Sequence, residues 1–421
     1  MKLLVFLSFN FLVTLALAQG SIIEEIQFEG LKKTNLAFVK NIISTNNDSM
    51  LDSVVIENDI KKLNQLAGIA NATFRIESTE TNKYKIVYGI EEQFTLIPVL
   101  NIWTSNYQLA IKTGLYQHNL LGRNISIGGF YQYNEFNSYG LSIKAPYLFS
   151  NRFGLEINYQ NWSSLEPVYF KKFVADYKYN NHGLEVLAHF KVNYKHSISA
   201  GLNRFNEKYQ YISGVDSLGL KEIPNSVDKR KLLFKVGYNY DNLNYKFYQI
   251  SGIKYLLYLQ DVETLEGNED SFLIGWNDFI FYSYAGSKGN FASRIRFGLS
   301  TNMDSPLAPF TLDNHVNIRG VGDKIDRGTG SIVWNVEYRH AFIDKRWLAV
   351  QAVVFVDAGT WRNPGGKLSD FTSSDNIRVY PGLGLRFIHK KIYNAIFRID
   401  YGYGITKYSS NGIVFGIGQY F

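Results

Sequence analysis

Cysteine is absent from this 421-residue chain, which excludes disulfide frameworks, thiolate metal sites and thiol nucleophiles. An oxidising compartment suits such a chain, because an unpaired thiol there is a liability. Proline and methionine are scarce, at 8 and 3 residues. After the first residues no stretch approaches the roughly 18 uninterrupted apolar residues of a spanning helix. A mean hydropathy of −0.15 argues the same way, so any membrane residence must be by strands. The net charge of +7 comes without an arginine-rich arm or helix, and nucleic acid is not an expected partner. Basic side chains spread along strand patterns suit a polar lumen or anionic lipid head groups instead. No H-E-x-x-H or G-x-S-x-G spacing occurs among the seven histidines and the serines, so neither an enzyme nor a metal or cofactor site is expected.

What the chain does have is aromatic residues and glycine, with 30 Tyr, 30 Phe and 35 Gly. A β-barrel gives this mixture, because lipid-facing and lumen-facing residues alternate along each strand. Residues 1–18 read as a secretory signal peptide, with Lys2, an apolar Leu3–Leu15 run and an Ala16-Leu17-Ala18 cleavage site. Residues 22–92 mix helix and strand signals. A strand over Ile22–Phe28 leads to a helix capped by Thr34 or Asn35, with Phe38, Ile42 and Ile43 on one face. A second helix over Ser53–Leu66 is expected to end at Gly68, followed by strands Ala72–Ser78 and Tyr84–Ile90.

From 95 to 421 everything reads as strand and turn. Sixteen strands are expected, the first starting near Gln108 and the last near Gly412, with separate strands starting near Tyr169 and Gly183. Trp334, Val336 and Tyr338 share one face of the twelfth strand; Asn335, Glu337 and Arg339 share the other. Phe397, Ile399 and Tyr401 likewise oppose Arg398 and Asp400. Aromatics on one side and repeated charges on the other fit lipid outside and water inside.

The eleventh and twelfth strands are joined by a long loop, 301–330, with Arg319 at its middle beside Gly320 and Gly322. A loop of that length is functional or disordered. A solvated arginine is one reading. The other folds Arg319 back into the lumen, where Glu337 on the twelfth strand and Asp357 on the thirteenth would hold its planar fork.

These motifs, in this order, resemble the BamA/TamA-type outer-membrane assembly superfamily, which includes two-partner secretion transporters. Ile318-Arg319-Gly320 followed by Val321 is similar to the family's loop motif, with Val321 in place of the usual aromatic. Glu337 and Asp357 fall on its lumen acids. His118-Asn-Leu-Leu-Gly-Arg123, Lys144-Ala-Pro-Tyr-Leu-Phe149, Asp400–Gly402 and the closing Phe-Gly-Ile-Gly-Gln-Tyr-Phe421 also fit. The resemblance implies an N-terminal α+β POTRA domain (22–92) in the periplasm and a 16-stranded antiparallel transmembrane barrel in the bacterial outer membrane. It further implies unfolded outer-membrane or secreted polypeptides as clients docking on the POTRA edge, accessory periplasmic proteins or lipoproteins as partners, and no ATP; a dedicated secretion pore for one partner protein and a passive outer-membrane channel are the alternative readings. A lateral seam between the first strand, Gln108–Tyr116, and the last, Gly412–Phe421, would open for clients. Gly412, Gly416 and Gly418 would either weaken that seam or simply let the strand curve, and Phe421 would end it at the membrane interface.

Overall fold

The computed structural model describes residues 21–421 except 106–107, 171–173, 216–218, 247, 267–269, 306–307, 315 and 323–325. The expected signal peptide therefore lies outside the described residues, as does Asp323 of the loop. The chain divides into two units, Met1–Gln93 and Phe94–Phe421.

In the first unit, β1 (Ile22–Glu29) is followed by helices α1 (Leu36–Ile42) and α2 (Ser53–Asn64), then β2 (Ile69–Glu80) and β3 (Lys83–Glu92). The central strand is β3, parallel to β1 and antiparallel to β2. The Asn35 side chain accepts from the Phe38 amide, and Asp52 caps α2 by accepting from Val54 and Val55. Phe38, Val39 and Ile42 from α1 and Ile56 and Leu63 from α2 are buried with Ile86, Val87 and Tyr88 of β3. Asp59 is fully buried and accepts from the Ser44 and Thr45 amides, the Thr45 hydroxyl and Lys62, so a charge on α2 fixes the turn after α1. Gly68 does not cap α2, which closes at Gln65; its carbonyl instead accepts from the Gln93 amide.

The second unit is built of strands. In chain order they are β4 (Leu96–Ser105), β5 (Gln108–Leu120), β6 (Ile125–Tyr133), β7 (Asn137–Ala145), β8 (Phe153–Tyr169) and β9 (Val174–Lys191). Next come β10 (His196–Ser213), β11 (Ser226–Lys246), β12 (Gln249–Thr264), β13 (Phe272–Ala285) and β14 (Gly289–Ser300). Two three-residue strands, β15 (Phe310–Leu312) and β16 (Asp326–Gly328), pair within the long loop. The wall then resumes with β17 (Gly330–Asp344), β18 (Leu348–Arg362), β19 (Ile377–His389), β20 (Ile396–Tyr403) and β21 (Asn411–Ile417).

Sixteen of these strands form one antiparallel sheet ordered from β21 to β4, a near-closed barrel. Its end strands lie alongside each other, and no ladder joins them among the described residues. The expected count of sixteen is met with two errors that cancel. The first strand is β4, not Gln108–Tyr116, and the strands expected near Tyr169 and Gly183 are one continuous β9, with Tyr169 ending β8. The final strand stops at Ile417, not Phe421.

The alternation resolves into an outside and an inside. Trp334, Tyr338, Ile295, Phe297, Phe397 and Tyr401 are exposed on the outer face, while Asn335, Glu337, Arg339, Arg294, Arg398 and Asp400 are buried within. An outer face of bare aromatic and aliphatic side chains fits hydrocarbon, and a continuous ladder leaves few backbone groups to satisfy there.

Candidate functional site

The loop between β14 and β17 folds into the barrel, and its first turn is made locally. The Asp313 carboxylate accepts from the Val316 and Asn317 amides, and its carbonyl accepts from Ile318. Gly320 adopts φ +94, and its amide donates to Asn314. A side chain at 320 would strike the backbone of Gly402 on β20; one at Gly402 would sit 2.1 Å from the Arg319 carbonyl. Two glycines thus let loop and wall touch backbone to backbone. Ile318 and Val321 are buried in a cluster with Leu312, Val333, Trp361 and Tyr380, so valine packs the position where an aromatic was expected. Gly322 follows at φ +69.

This path leaves Arg319 fully buried between two strands. Its Nε and Nη2 donate to the two Asp357 oxygens at 2.8 and 2.9 Å, its backbone amide donates to Asp357 at 2.9 Å, and its Nη1 reaches Glu337 at 2.6 Å. In register, Asp357 lies opposite Asn335, and Asn335 donates to it at 2.8 Å. The guanidinium is also stacked over Phe355 at 3.6 Å and Tyr420 at 4.4 Å. A planar cation held by two carboxylates and two rings has most of its lost hydration replaced. Asp400, Arg339, Arg386 and Arg398 complete the network. Arg386 donates to Asp400 at 2.8 Å, Arg339 to Glu337 at 2.5 Å, and Arg398 to Asp400 at 3.2 Å. These four residues were not expected as site members; their signal was the charged inner face of β17, β19 and β20, the same alternation that exposed Glu337.

Further arginines hold the loop. Arg294 donates to the Val316 carbonyl and to Asn335, Arg296 joins Asp278 to Asn317, Arg362 binds Thr329, and Arg378 binds Asp326. Farther along, Arg327 pairs with Glu166 near the end of β8, beside Tyr179 and Tyr209. In the strand order β8 stands fifth, and β17 and β18 stand twelfth and thirteenth, so these anchors lie on opposite walls of a sixteen-stranded barrel. The loop therefore crosses the lumen. Beside it remains a cavity of about 1090 Å³, bordered by Lys112, Trp162, Glu166, Tyr209, Arg327 and Arg398.

The expected seam residues are placed differently. Gly412 faces the backbone of Gly320, and a side chain at Gly416 would collide with the Arg398 guanidinium, so each makes room inside the lumen. Gly418, at φ +89, turns the chain inward. Phe421 is not at the membrane interface. It packs against the Leu243–Ile280–Tyr282–Ala292 cluster of the far wall, and its carbonyl accepts from Arg339 at 3.3 Å. Tyr420 beside it donates to the Asn314 carbonyl at 3.3 Å. The last residues are a second element in the lumen.

Fold and site together define a transmembrane β-barrel whose interior is crossed by an arginine-anchored loop. The chain belongs to the Omp85 superfamily, whose domain matches residues 119–421. It is similar in structure to BamA from Haemophilus ducreyi lacking POTRA domains 1–3, with a TM-score of 0.55 at 18% identity, over 94% of this chain and 83% of that one. It is also similar to CdiB from Escherichia coli, with a TM-score of 0.65 at 10% identity, over 94% and 76% of the two chains. For CdiB from Acinetobacter baumannii the TM-score is 0.59 at 11% identity, over 95% and 74%. No curated protein matches the sequence.

Proposed function

We propose that this chain acts in the bacterial outer membrane as a polypeptide assembly factor, inserting β-barrel clients through the seam between β4 and β21. The observation that carries this reading is the contrast between lumen and wall. The lumen is crossed by a loop anchored on both sides, whereas β4 and β21 lie together with no ladder between them among the described residues. Unpaired strand edges offer main-chain donors and acceptors that a client strand can adopt without ATP.

The first unit serves as a POTRA domain on the periplasmic side, receiving extended clients at a sheet edge. The β2 edge suits this best. The start of β1 is covered, because the Ile23 amide donates to the Ser49 carbonyl and the Ile23 carbonyl accepts from the Asp48 amide. The work is transport, not catalysis.

A second reading is secretion of a dedicated partner through the lumen, favoured by the 1090 Å³ cavity beside the loop. Quantitative proteomics after depletion of the protein separates the two. A fall in many integral barrel proteins supports insertion. Retention of one secreted protein, with other barrels unchanged, sinks insertion and supports secretion.

A further inference from the structure

The antiparallel order gives the barrel two unlike ends. At the end where β4 begins, the connections are short turns: 121–124, 146–152, 192–195, 247–248, 286–288, 345–347 and 390–395. None of them contains an acid, and six of the seven contain Lys or Arg. Arg123, Arg152, Lys288, Lys345, Arg346 and Lys391 are exposed, and none forms a salt bridge among the described residues. The acid nearest this rim, Asp344 at the end of β17, pairs with Lys390. The opposite end is mixed: 265–271 holds Glu266, Glu269 and Asp270 without a base and 363–376 sets Asp370 and Asp375 against Lys367, while 170–173 and 404–410 carry Lys171, Lys172 and Lys407 without an acid.

The basic turns also expose apolar side chains. Leu121 is 74% exposed beside Arg123, Phe149 is 75% exposed before Arg152, and Trp347 is 52% exposed after Arg346. Cations next to bare aromatic and aliphatic groups suit the boundary where hydrocarbon gives way to charged head groups. Long Lys and Arg stems reach that boundary from the edge of an apolar wall.

We propose that this rim binds the phosphodiester head groups of anionic glycerophospholipids in the leaflet that meets it. Two features favour lipid over an acidic polypeptide. The cations recur in six of the seven turns, as contacts with a lipid annulus do, where a docked polypeptide covers one sector. The exposed apolar neighbours belong to turns that continue the lipid-facing wall. The inference requires the barrel to be in a bilayer and is independent of which client it handles.

The test uses the full chain in nanodiscs of equal phosphatidylcholine and phosphatidylglycerol, with native mass spectrometry of the lipids retained on ejection. Wild type is expected to retain phosphatidylglycerol severalfold over phosphatidylcholine. The combined R123Q, R152Q, K345Q, R346Q, K391Q variant is expected to lose that preference, and K367Q with K407Q at the other end to keep it. Correct folding of each variant is checked by the heat-dependent shift in gel mobility. Should a variant fail to fold, high salt applied to wild type gives the same reading, because exposed charge contacts are screened. Equal retention of both lipids by wild type overturns the proposal. So does a preference that survives the fivefold variant or high salt. Binding of poly-glutamate to the rim that phosphatidylglycerol does not displace also overturns it, and makes the rim a polypeptide surface.

Discussion

Arg319 and Arg327 belong to one loop, but their surroundings differ. Arg319 meets two carboxylates directly, a third at 3.7 Å, and two aromatic rings, with its side chain fully buried. Arg327 meets one carboxylate, Glu166, beside an open cavity, with its side chain 10% exposed. The first is a permanent anchor, because removing any member strands another charge in a dry interior. The second is a releasable tether: water can reach both partners when they part. Arg378 on Asp326 and Arg362 on Thr329 hold the same stretch of the loop, so the Arg327–Glu166 pair can part while the plug stays in the barrel.

Arg319→Ala should be the most disruptive single change. It leaves Glu337 and Asp357 buried against fewer cations and should cost about 3–5 kcal/mol. The expected outcome is a lower urea midpoint in detergent and impaired transport, with membrane insertion retained. Asp357→Ala should cost a similar amount, since the Arg319 amide, Nε and Nη2 lose their acceptor and Asn335 loses one of its two. Full activity in both variants would discard the anchor.

A smaller loss is expected for Glu166→Gln, which removes one charged partner at a site water can enter, about 1.5–3 kcal/mol. Its readout is planar-bilayer conductance, with longer or more frequent openings than wild type. Glu166→Arg combined with Arg327→Glu should restore quiet traces. Gly402→Ala ranks beside it, because the new methyl meets the Arg319 carbonyl and overpacking of this kind costs about 1–3 kcal/mol. It should lower the urea midpoint and loosen the loop while every charge stays in place.

The smallest effect lies in the first unit. Glu92 is partly buried, which disfavours its charge, but the Thr34 and Lys33 amides bind the carboxylate and hold its pKa below the usual value. A group depressed in the folded state contributes stability that is complete above the unfolded value. That contribution fades as pH falls through the folded value, below about 4.3. Hydrogen exchange at Lys33 and Thr34 should therefore accelerate in acid in wild type, and Glu92→Gln should remove that dependence on pH.

The anchor was legible because Arg319, Glu337 and Asp357 stand close in sequence and the two-residue period of β17 and β18 fixes which side chains point inward. The tether was not. Glu166 is 161 residues from Arg327, and only the closing of the sheet brings β8 opposite β17. Strand β4 was missed because Pro98 interrupts its pattern. An edge strand tolerates proline, since one side of its backbone has no ladder to serve. Asn180-Asn181-His182-Gly183 reads as a turn but runs inside β9. There Gly183 leaves room for Phe205, whose Cβ would lie 2.7 Å from an added side chain. Gly416 misled in the same way, since its partner is the Arg398 side chain across the ladder and no local spacing shows that.

The loop's attachment to both walls can be tested in one experiment, because the chain has no native cysteine to interfere. Glu166→Cys with Arg327→Cys removes the loose tether, and a short thiol-reactive cross-linker restores it covalently. Flickering or enlarged conductance is expected before cross-linking and a quiet, small-conductance barrel afterwards. Identical traces before and after a cross-link verified by mass spectrometry would rule out attachment of the loop to both walls.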